Sequence, residues 1–280
     1  MHTMSSNHPA NSNSAQDAES LAHQARAERL KAALAVHHYS IATVKWLAET
    51  GSTNDVAKGF EGKGHTLIIS DQQLAGRGQA GRVWQSPTGN LYLSLLTTLQ
   101  HPVSGRLALE VALAIVNMPL LNGIADVQIK WPNDLYYKNA HGIHAKWGGI
   151  LIEPLHHNQV VIGVGINLVG MQNQVQDQTV TDLSNVTGQA VDQFELAQQV
   201  TIALLHACEQ FDHGSLQLNT RFAAFDALLE KQVVVSQAGH DDIIGQAFGV
   251  QADGALVVSQ QHQQHVIYSG QVRPLDSKTN

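Results

Sequence analysis

The sequence predicts an α+β protein, a large mixed domain followed by a small β domain, and three observations carry that prediction. Helical patterns and β-branched runs alternate through the first 230 residues instead of separating into blocks. After Glu230 the character changes to short β-branched segments at 231–236, 244–250, 255–259 and 265–268, divided by Gly, Asp and Ala turns, which read as a small β-barrel. A chain of 280 residues is long enough to hold one large core and a small appended one. The expected division is 1–37 for a tail and an N-terminal helix, 38–230 for the main domain and 231–275 for the barrel.

The elements follow in order. Residues 1–17 are rich in Ser, Asn, His and Ala, with no cationic start and no apolar stretch, and read as a disordered tail and not as a targeting signal. Residues 18–36 have helical composition, and Thr43-Val-Lys-Trp-Leu-Ala-Glu49 reads as the first strand of the main domain. Ser52 followed by Asp55 resembles a capping box, so a helix starts there, and hydroxyls at such a start can grip polar ligands. Strands are expected at 67–70 and 90–98, then a helix at 104–121 that Pro119 must end or kink. Further strands fall at 127–130, 149–153 and 160–167, the last carrying Gly163 and Gly165 where another group approaches the backbone closely. Two helices read clearly, at 192–211, where Asp192 and Glu195 have cap-box spacing, and at 216–230.

Composition excludes several classes of function. Sixteen basic against 23 acidic residues give a formal charge of −7, which argues against nonspecific binding to nucleic acid or to an anionic membrane. No apolar run approaches the roughly 20 residues of a membrane span, and the chain reads as cytoplasmic. The single cysteine, Cys208, rules out an internal disulfide and sits in an apolar helical pattern, as a core residue would. The 16 histidines are scattered, as in His37-His38, His156-His157 and His262-x-x-His265, with no H-E-x-x-H, so no protein metal site is expected.

Within this acidic chain, Asp71-Gln-Gln-Leu-Ala-Gly-Arg-Gly-Gln-Ala-Gly-Arg-Val-Trp84 is an exception. Three glycines and two arginines occupy the seven positions from Gly76 to Arg82, directly after an apolar strand. Glycine lets backbone come close to a ligand, and arginine offers a fixed fork to carboxylate or phosphate, so the segment is a candidate anion loop. Gly76, Gly78 and Gly81 satisfy G-x-G-x-x-G, but the dinucleotide fingerprint needs a helix to start there, and the sequence instead enters a turn-rich stretch toward another strand. No G-x-x-x-x-G-K-[ST] phosphate loop occurs.

Two further segments carry chemistry. Lys130-Trp-Pro-Asn-Asp134 combines turn residues with a lysine and an aromatic, and Lys146-Trp-Gly-Gly-Ile-Leu-Ile-Glu153 places a lysine before two glycines and a buried strand, where a cation can project over an open site. These segments, with Ser52-Thr53-Asn54, the Gly76–Arg82 loop and Val161-Ile-Gly-Val-Gly-Ile-Asn167, occur in the order and spacing of the biotin–protein ligases, and the chain resembles that family from about residue 43 to 275.

The resemblance implies a class II synthetase-like catalytic domain, a mixed sheet flanked by helices, with an SH3-like C-terminal barrel. It implies an ATP-dependent reaction that activates biotin as biotinyl-5′-AMP and transfers it to a lysine of a biotin carboxyl carrier protein, the carrier domain of acetyl-CoA carboxylase or a related carboxylase. ATP and Mg²⁺ are the implied cofactors, with no protein ligands assigned to the metal. Lys146, Arg77 and Asp134 take the catalytic positions. Ser52, Thr53, Asn54, Gln73, Arg77, Gly78, Gln79, Lys146 and Gly149 take those around biotin, with Gln73 preferred to its neighbour Gln72. Arg77, Arg82, Trp84, Lys146 and Asn167 take those around ATP and the adenylate, with adenine packing on Trp84. Many family members carry arginine where Gln79 stands, so this loop is expected to retain the adenylate less tightly or to order with different contacts. Only about 40 residues precede the core, so a ligase without a DNA-binding repressor segment is expected, with no nucleic acid or membrane partner and a homodimer left open. The alternatives are a lipoate or octanoate ligase or transferase, and a non-enzymatic biotin-responsive regulator.

Overall fold

The computed structural model describes residues 10–170, 179–261 and 263–275. Its larger part is built on a seven-stranded mixed sheet. The strands are β1 (Thr43–Thr50), β2 (Thr66–Gln73), β3 (Leu91–Thr98), β4 (Val127–Lys130), β5 (Asp134–Lys138), β6 (His144–Pro154) and β7 (Gln159–Ile166), in the order β1-β2-β3-β7-β6-β5-β4. β1 and β2 run parallel and the remaining pairs antiparallel.

The two faces of this sheet differ. One carries Leu67, Ile69, Leu93, Leu95, Ile150, Ile162 and Val164 into the main core, under α3 (Gly105–Val116) and α5 (Gln193–Asp212). On the other face Ile68, Leu96 and Val161 form a small cluster with Ala57 of α2 (Thr53–Lys58). Beside that cluster the inward positions of the sheet are glycine, which opens room for a site. β3 is buried on both faces, and apolar except for Ser94 until Thr97.

The N-terminal helix α1 (Ala10–Val36) packs along β1. It begins at Ala10, so 10–17, read from composition as part of a disordered tail, are helical; residues 1–9 lie outside the described residues. Extending a helix is far easier than nucleating one, and the packed turns further on supply the nucleus. Cys208 is buried in α5, and Asp192 caps that helix by accepting from the Glu195 N–H at 2.8 Å. α3 ends at Val116, and Pro119 starts a separate 3₁₀ turn, Pro119–Leu121.

Three elements depart from the sequence reading. β5 begins directly at Asp134, so Lys130-Trp-Pro-Asn-Asp134 is a hairpin corner between β4 and β5, and the apolar run that follows is a strand the turn residues had masked. A short helix, α4 (Leu183–Thr187), had no clear pattern. The helix expected at 216–230 is only α6 (Leu218–Ala223). Phe225 and Ala227 instead pair with β4, Ile129 N donating to Phe225 O at 2.7 Å and Ala227 N to Ile129 O at 2.9 Å. Tertiary pairing overrides a helical propensity that no Gly or Pro interrupts.

A second sheet follows, antiparallel and five-stranded: β8 (Gln232–Ser236), β9 (Ile243–Val250), β10 (Leu256–Gln260), β11 (Gln263–Ile267) and β12 (Gln271–Pro274), in the order β11-β10-β9-β8-β12. Val233, Val235, Ala247, Leu256, Val258, Ile267 and Val272 form its buried side. The buried Trp131 indole donates to Gly254 O at 3.0 Å, fastening the β4–β5 corner to this sheet. His262, part of the scattered histidine pair noted above, lies outside the described residues.

Candidate functional site

On the open face of the large sheet lies a cavity of about 140 Å³. Ser52, Thr53, Asn54, Gln73, Arg77, Gly78, Gln79, Arg82, Trp84, Asp134, Lys146, Gly149 and Asn167 all line it, so every residue expected at the site comes to one place. Gln73 lines it and Gln72 does not.

Glycines form the floor. Gly149 of β6 pairs with Gly165 of β7, and Gly163 pairs with Ser94 of β3. A Cβ at Gly165 would stand 2.7 Å from Trp84 Nε1, one at Gly149 3.1 Å from the same indole, and one at Gly163 would collide with Asn54 Oδ1. Gly163 and Gly165 carried a signal of close approach in the sequence, but the site reading missed them. It also missed Asn133, which donates to Ile150 O at 2.6 Å, and Val180, whose segment pairs with Lys146.

Lys146 reaches the cavity because of an irregularity in the sheet. β5 and β6 shift register between Leu135 and Tyr136, which face Gly148 and Lys146, leaving Trp147 as the extra residue. A bulge of this kind reverses side-chain parity, so Lys146 shares a side with Gly149 and Leu151 while Trp147 enters the core. Lys146 is therefore part of the site and not a solvated strand end. Its Nζ lies 2.5 Å from Asp134 Oδ1 and 5.0 Å from the centre of the Trp84 ring. Lys130 Nζ approaches Asp134 Oδ2 at 3.9 Å, and burial holds the Lys130 ammonium below its usual range.

Arg77 stands at the rim with its fork already engaged. Its guanidinium grips Asp55 through two hydrogen bonds, the longer 2.6 Å, and lies 3.4 Å from each oxygen of Glu153. The Arg77 hydrogen bonds hold the Asp55 carboxyl below its usual range, and the same contacts raise the guanidinium further. Burial pushes Glu153 up, but hydrogen bonds from Lys58 and Asn54 and the nearby cations outweigh it, so the carboxyl stays low. Among the described residues Arg82 has no carboxylate within ion-pair distance. Its Nε donates to Gln79 O at 3.3 Å, and Arg82 and Gln79 also border a second, larger groove toward the C-terminal sheet.

The polar end of the cavity is a connected chain. Thr53 N donates to Gln73 Oε1 at 2.9 Å, and Gln73 Nε2 donates to Ser86 Oγ at 3.1 Å. Ser94 Oγ lies 2.7 Å from Thr53 Oγ1 and 2.5 Å from Asn54 Oδ1. Ser52 is the N-cap of α2, but its side chain makes no cap hydrogen bond, so the hydroxyl is free to face a ligand. Asn167 Nδ2 donates to Thr181 O at 3.0 Å, and the buried Trp84 Nε1 has no partner among the described residues. Also among the described residues, no three His, Cys, Asp or Glu side chains converge as a metal site would require.

The arrangement offers a glycine-floored slot for a flat group, neutral hydrogen-bonding groups at one end and Lys146 with Asp134 at the other. Such a slot can hold a compact polar ring and neutralise an anion at its far end.

Residues 32–167 match the Biotin/lipoate A/B protein ligase family. The chain is 32% identical over 202 residues to "Bifunctional ligase/repressor BirA" of Salmonella typhimurium, covering 69% of this chain and 61% of that protein. It is 29% identical over 238 residues to "Biotin--[acetyl-CoA-carboxylase] ligase" of Mycobacterium tuberculosis, covering 81% and 86%. The "Biotin protein ligase from Aquifex aeolicus in complex with biotin and ATP" superposes with a TM-score of 0.71 over 83% of this chain and 98% of that one, at 24% identity, a likeness of fold. The chain spans 61–63% of the length of the two enterobacterial bifunctional relatives.

Proposed function

We propose that this chain, whose residues 32–167 match the Biotin/lipoate A/B protein ligase family, is an ATP-dependent ligase that activates biotin as biotinyl-5′-AMP and transfers it to a lysine of a biotin carboxyl carrier domain. The observation that carries this reading is Lys146, turned into the cavity by the β6 bulge and facing the neutral hydrogen-bonding end across a glycine floor. In the first step a biotin carboxylate oxygen bonds to the α-phosphorus of Mg-ATP, the bond to the bridging oxygen breaks, and pyrophosphate leaves with the electron pair. Two anions meet in that step, and the half-buried Lys146 ammonium offsets their repulsion and the charge growing on the phosphoryl oxygens. Arg77 adds charge once an incoming anion competes with Asp55 for its fork.

In the second step the acceptor amine attacks the acyl carbon and AMP departs. The ammonium of the acceptor must first lose a proton, and Asp134 takes the part of orienting it and helping that loss; its contacts with Lys130 and Lys146, which keep a carboxylate at this end of the cavity, support the reading. Ser52, Thr53, Asn54 and Gln73 take the ureido ring, Gly149 gives it room, Gly78 and Gln79 cover it, and Trp84, Arg82 and Asn167 face the adenylate. Magnesium enters with ATP as part of the substrate. The domain limits 38–230 and 231–275 and a cytoplasmic setting belong to this same proposal; among the described residues no helix is long and apolar enough to cross a membrane.

Pyrophosphate exchange into ATP tests the reading. Exchange that requires biotin is the expected result. Exchange supported by lipoate or octanoate in its place would reassign the substrate, and biotin binding without exchange would make the protein a regulator instead of an enzyme.

A further inference from the structure

Arg77 is not free to serve an anion in the arrangement it has. Its Nη1 and Nη2 donate to the two oxygens of Asp55, the longer bond 2.6 Å, and Nη2 also lies 3.4 Å from each oxygen of Glu153. A guanidinium grips a carboxylate or phosphate by two parallel bonds, along its Nη1–Nη2 edge or its Nη2–Nε edge. Asp55 fills the first edge. Glu153 faces the remaining Nη2 proton, which the second edge needs. Single N–H groups are left over, but no complete fork.

Asp55 has no other part in the reaction, for it does not line the cavity. A second cation, however, is within its reach. Lys58, further along α2, holds its Nζ 3.5 Å from Asp55 Oδ1 and 2.8 Å from Glu153 Oε1. Two cations and two carboxylates thus form a closed group, in which Lys58 can take over Asp55 when Arg77 leaves. The fork also governs a stretch of backbone. Arg77 pairs with Val83, and Gly78 N donates to Arg82 O at 2.7 Å, so the glycine–arginine loop is a small hairpin tied to α2 through Asp55.

We propose that Asp55 is an internal competitor for the anion that Arg77 receives. Its carboxylate occupies the fork in the free protein, and the biotin carboxylate takes the fork by displacing Asp55 onto Lys58. Affinity for biotin is therefore set lower than the cavity alone would give. The inference rests on the reading of the cavity as a biotin site and adds a residue that touches no substrate.

The test is Asp55→Asn, which keeps the shape of the side chain and removes the charge that holds the fork. Biotin affinity is measured by calorimetry, and the hairpin of the free protein is probed by trypsin cleavage after Arg77 and Arg82. The Asp55 side chain is 56% exposed, and exposed pairs of this kind hold weakly. The variant is expected to bind biotin about two- to fivefold more tightly, although its hairpin is cleaved faster. A carboxylate that only braced the hairpin would give the opposite pairing, faster cleavage with weaker binding. Biotinamide, with no charge to place in the fork, is expected to bind both proteins alike. In an Arg77→Gln background, Asp55→Asn is expected to leave biotin affinity unchanged, because the fork is gone. Weaker or unchanged biotin binding would overturn the competition while leaving the biotin reading in place. So would an equal gain in the Arg77→Gln background, which is what a general loss of negative charge would give. A folded wild-type protein that bound no biotin would overturn that reading itself.

Discussion

At the scale of single residues, the proposed reaction separates groups that hold substrate from groups that act on developing charge. In that proposal Lys146, half-buried and paired with Asp134, belongs to the second kind. Lys146→Ala is expected to slow adenylate formation by about 10²–10³-fold while weakening biotin binding much less, since an interaction with phosphoryl charge is strongest in the transition state. Single-turnover rates beside biotin affinities check this, and equal losses in both would place Lys146 on the ground-state carboxylate alone. Gln79 lines the cavity, uncharged where the resemblance implies arginine. A Gln79→Arg variant is expected to release the adenylate more slowly, and an unchanged rate in a filter-retention assay would sink that idea. At Gly165 even one methyl group meets the Trp84 indole at 2.7 Å. Gly165→Ala is expected to displace the ring and raise the KM for ATP about tenfold, with biotin affected less.

At the scale of elements, the chain joining the two sheets stores a buried charge. Asp226, 9% exposed, accepts from Leu228 N at 2.8 Å through one oxygen, while the other has no hydrogen-bond partner among the described residues. Burial pushes its carboxyl up to about 6. A raised carboxyl favours the fold when protonated, so its contribution is full below the unfolded value near 4 and is lost as pH rises through about 6. Asp226→Asn is therefore expected to be more stable than wild type at neutral pH, by up to about 2–3 kcal/mol, with the advantage gone near pH 4. Thermal unfolding across that range decides, and a gap independent of pH would count against it. In α5, burial pushes the Cys208 thiol up to about 12, so it should resist thiol reagents until the protein unfolds.

The same segment shows where sequence reading stops. Residues 216–230 look helical because nothing in them breaks a helix, and only the pairing of Phe225 and Ala227 with Ile129 ends it. β5 was hidden because Lys130-Trp-Pro-Asn-Asp134 carries strong turn chemistry, and the strand after it begins without a spacer. The bulge at Trp147 has no signature of its own, so the sequence announced Lys146 as a cation near glycines but not the side of the sheet it takes.

At the scale of the whole molecule, an acidic chain with formal charge −7 keeps a focus of cations in one place. Lys130, Lys146, Arg77 and Arg82 come from three separate stretches of sequence and meet around a single cavity or its border with the second groove. Motifs read one at a time were each compatible with a plain turn or strand end; their convergence on one open sheet face is what the fold adds. The second sheet, fastened through Trp131 to the corner that carries Asp134, borders the larger groove beside that cavity. The central claim is that this cavity makes an acyl adenylate and passes it to a lysine. Mass spectrometry of a biotin carboxyl carrier domain incubated with the protein, biotin and Mg-ATP tests it most directly. The account predicts a gain of one biotinyl group on a single lysine, dependent on ATP and lost with Lys146→Ala; an unmodified carrier domain, or one modified equally by the variant, would contradict it.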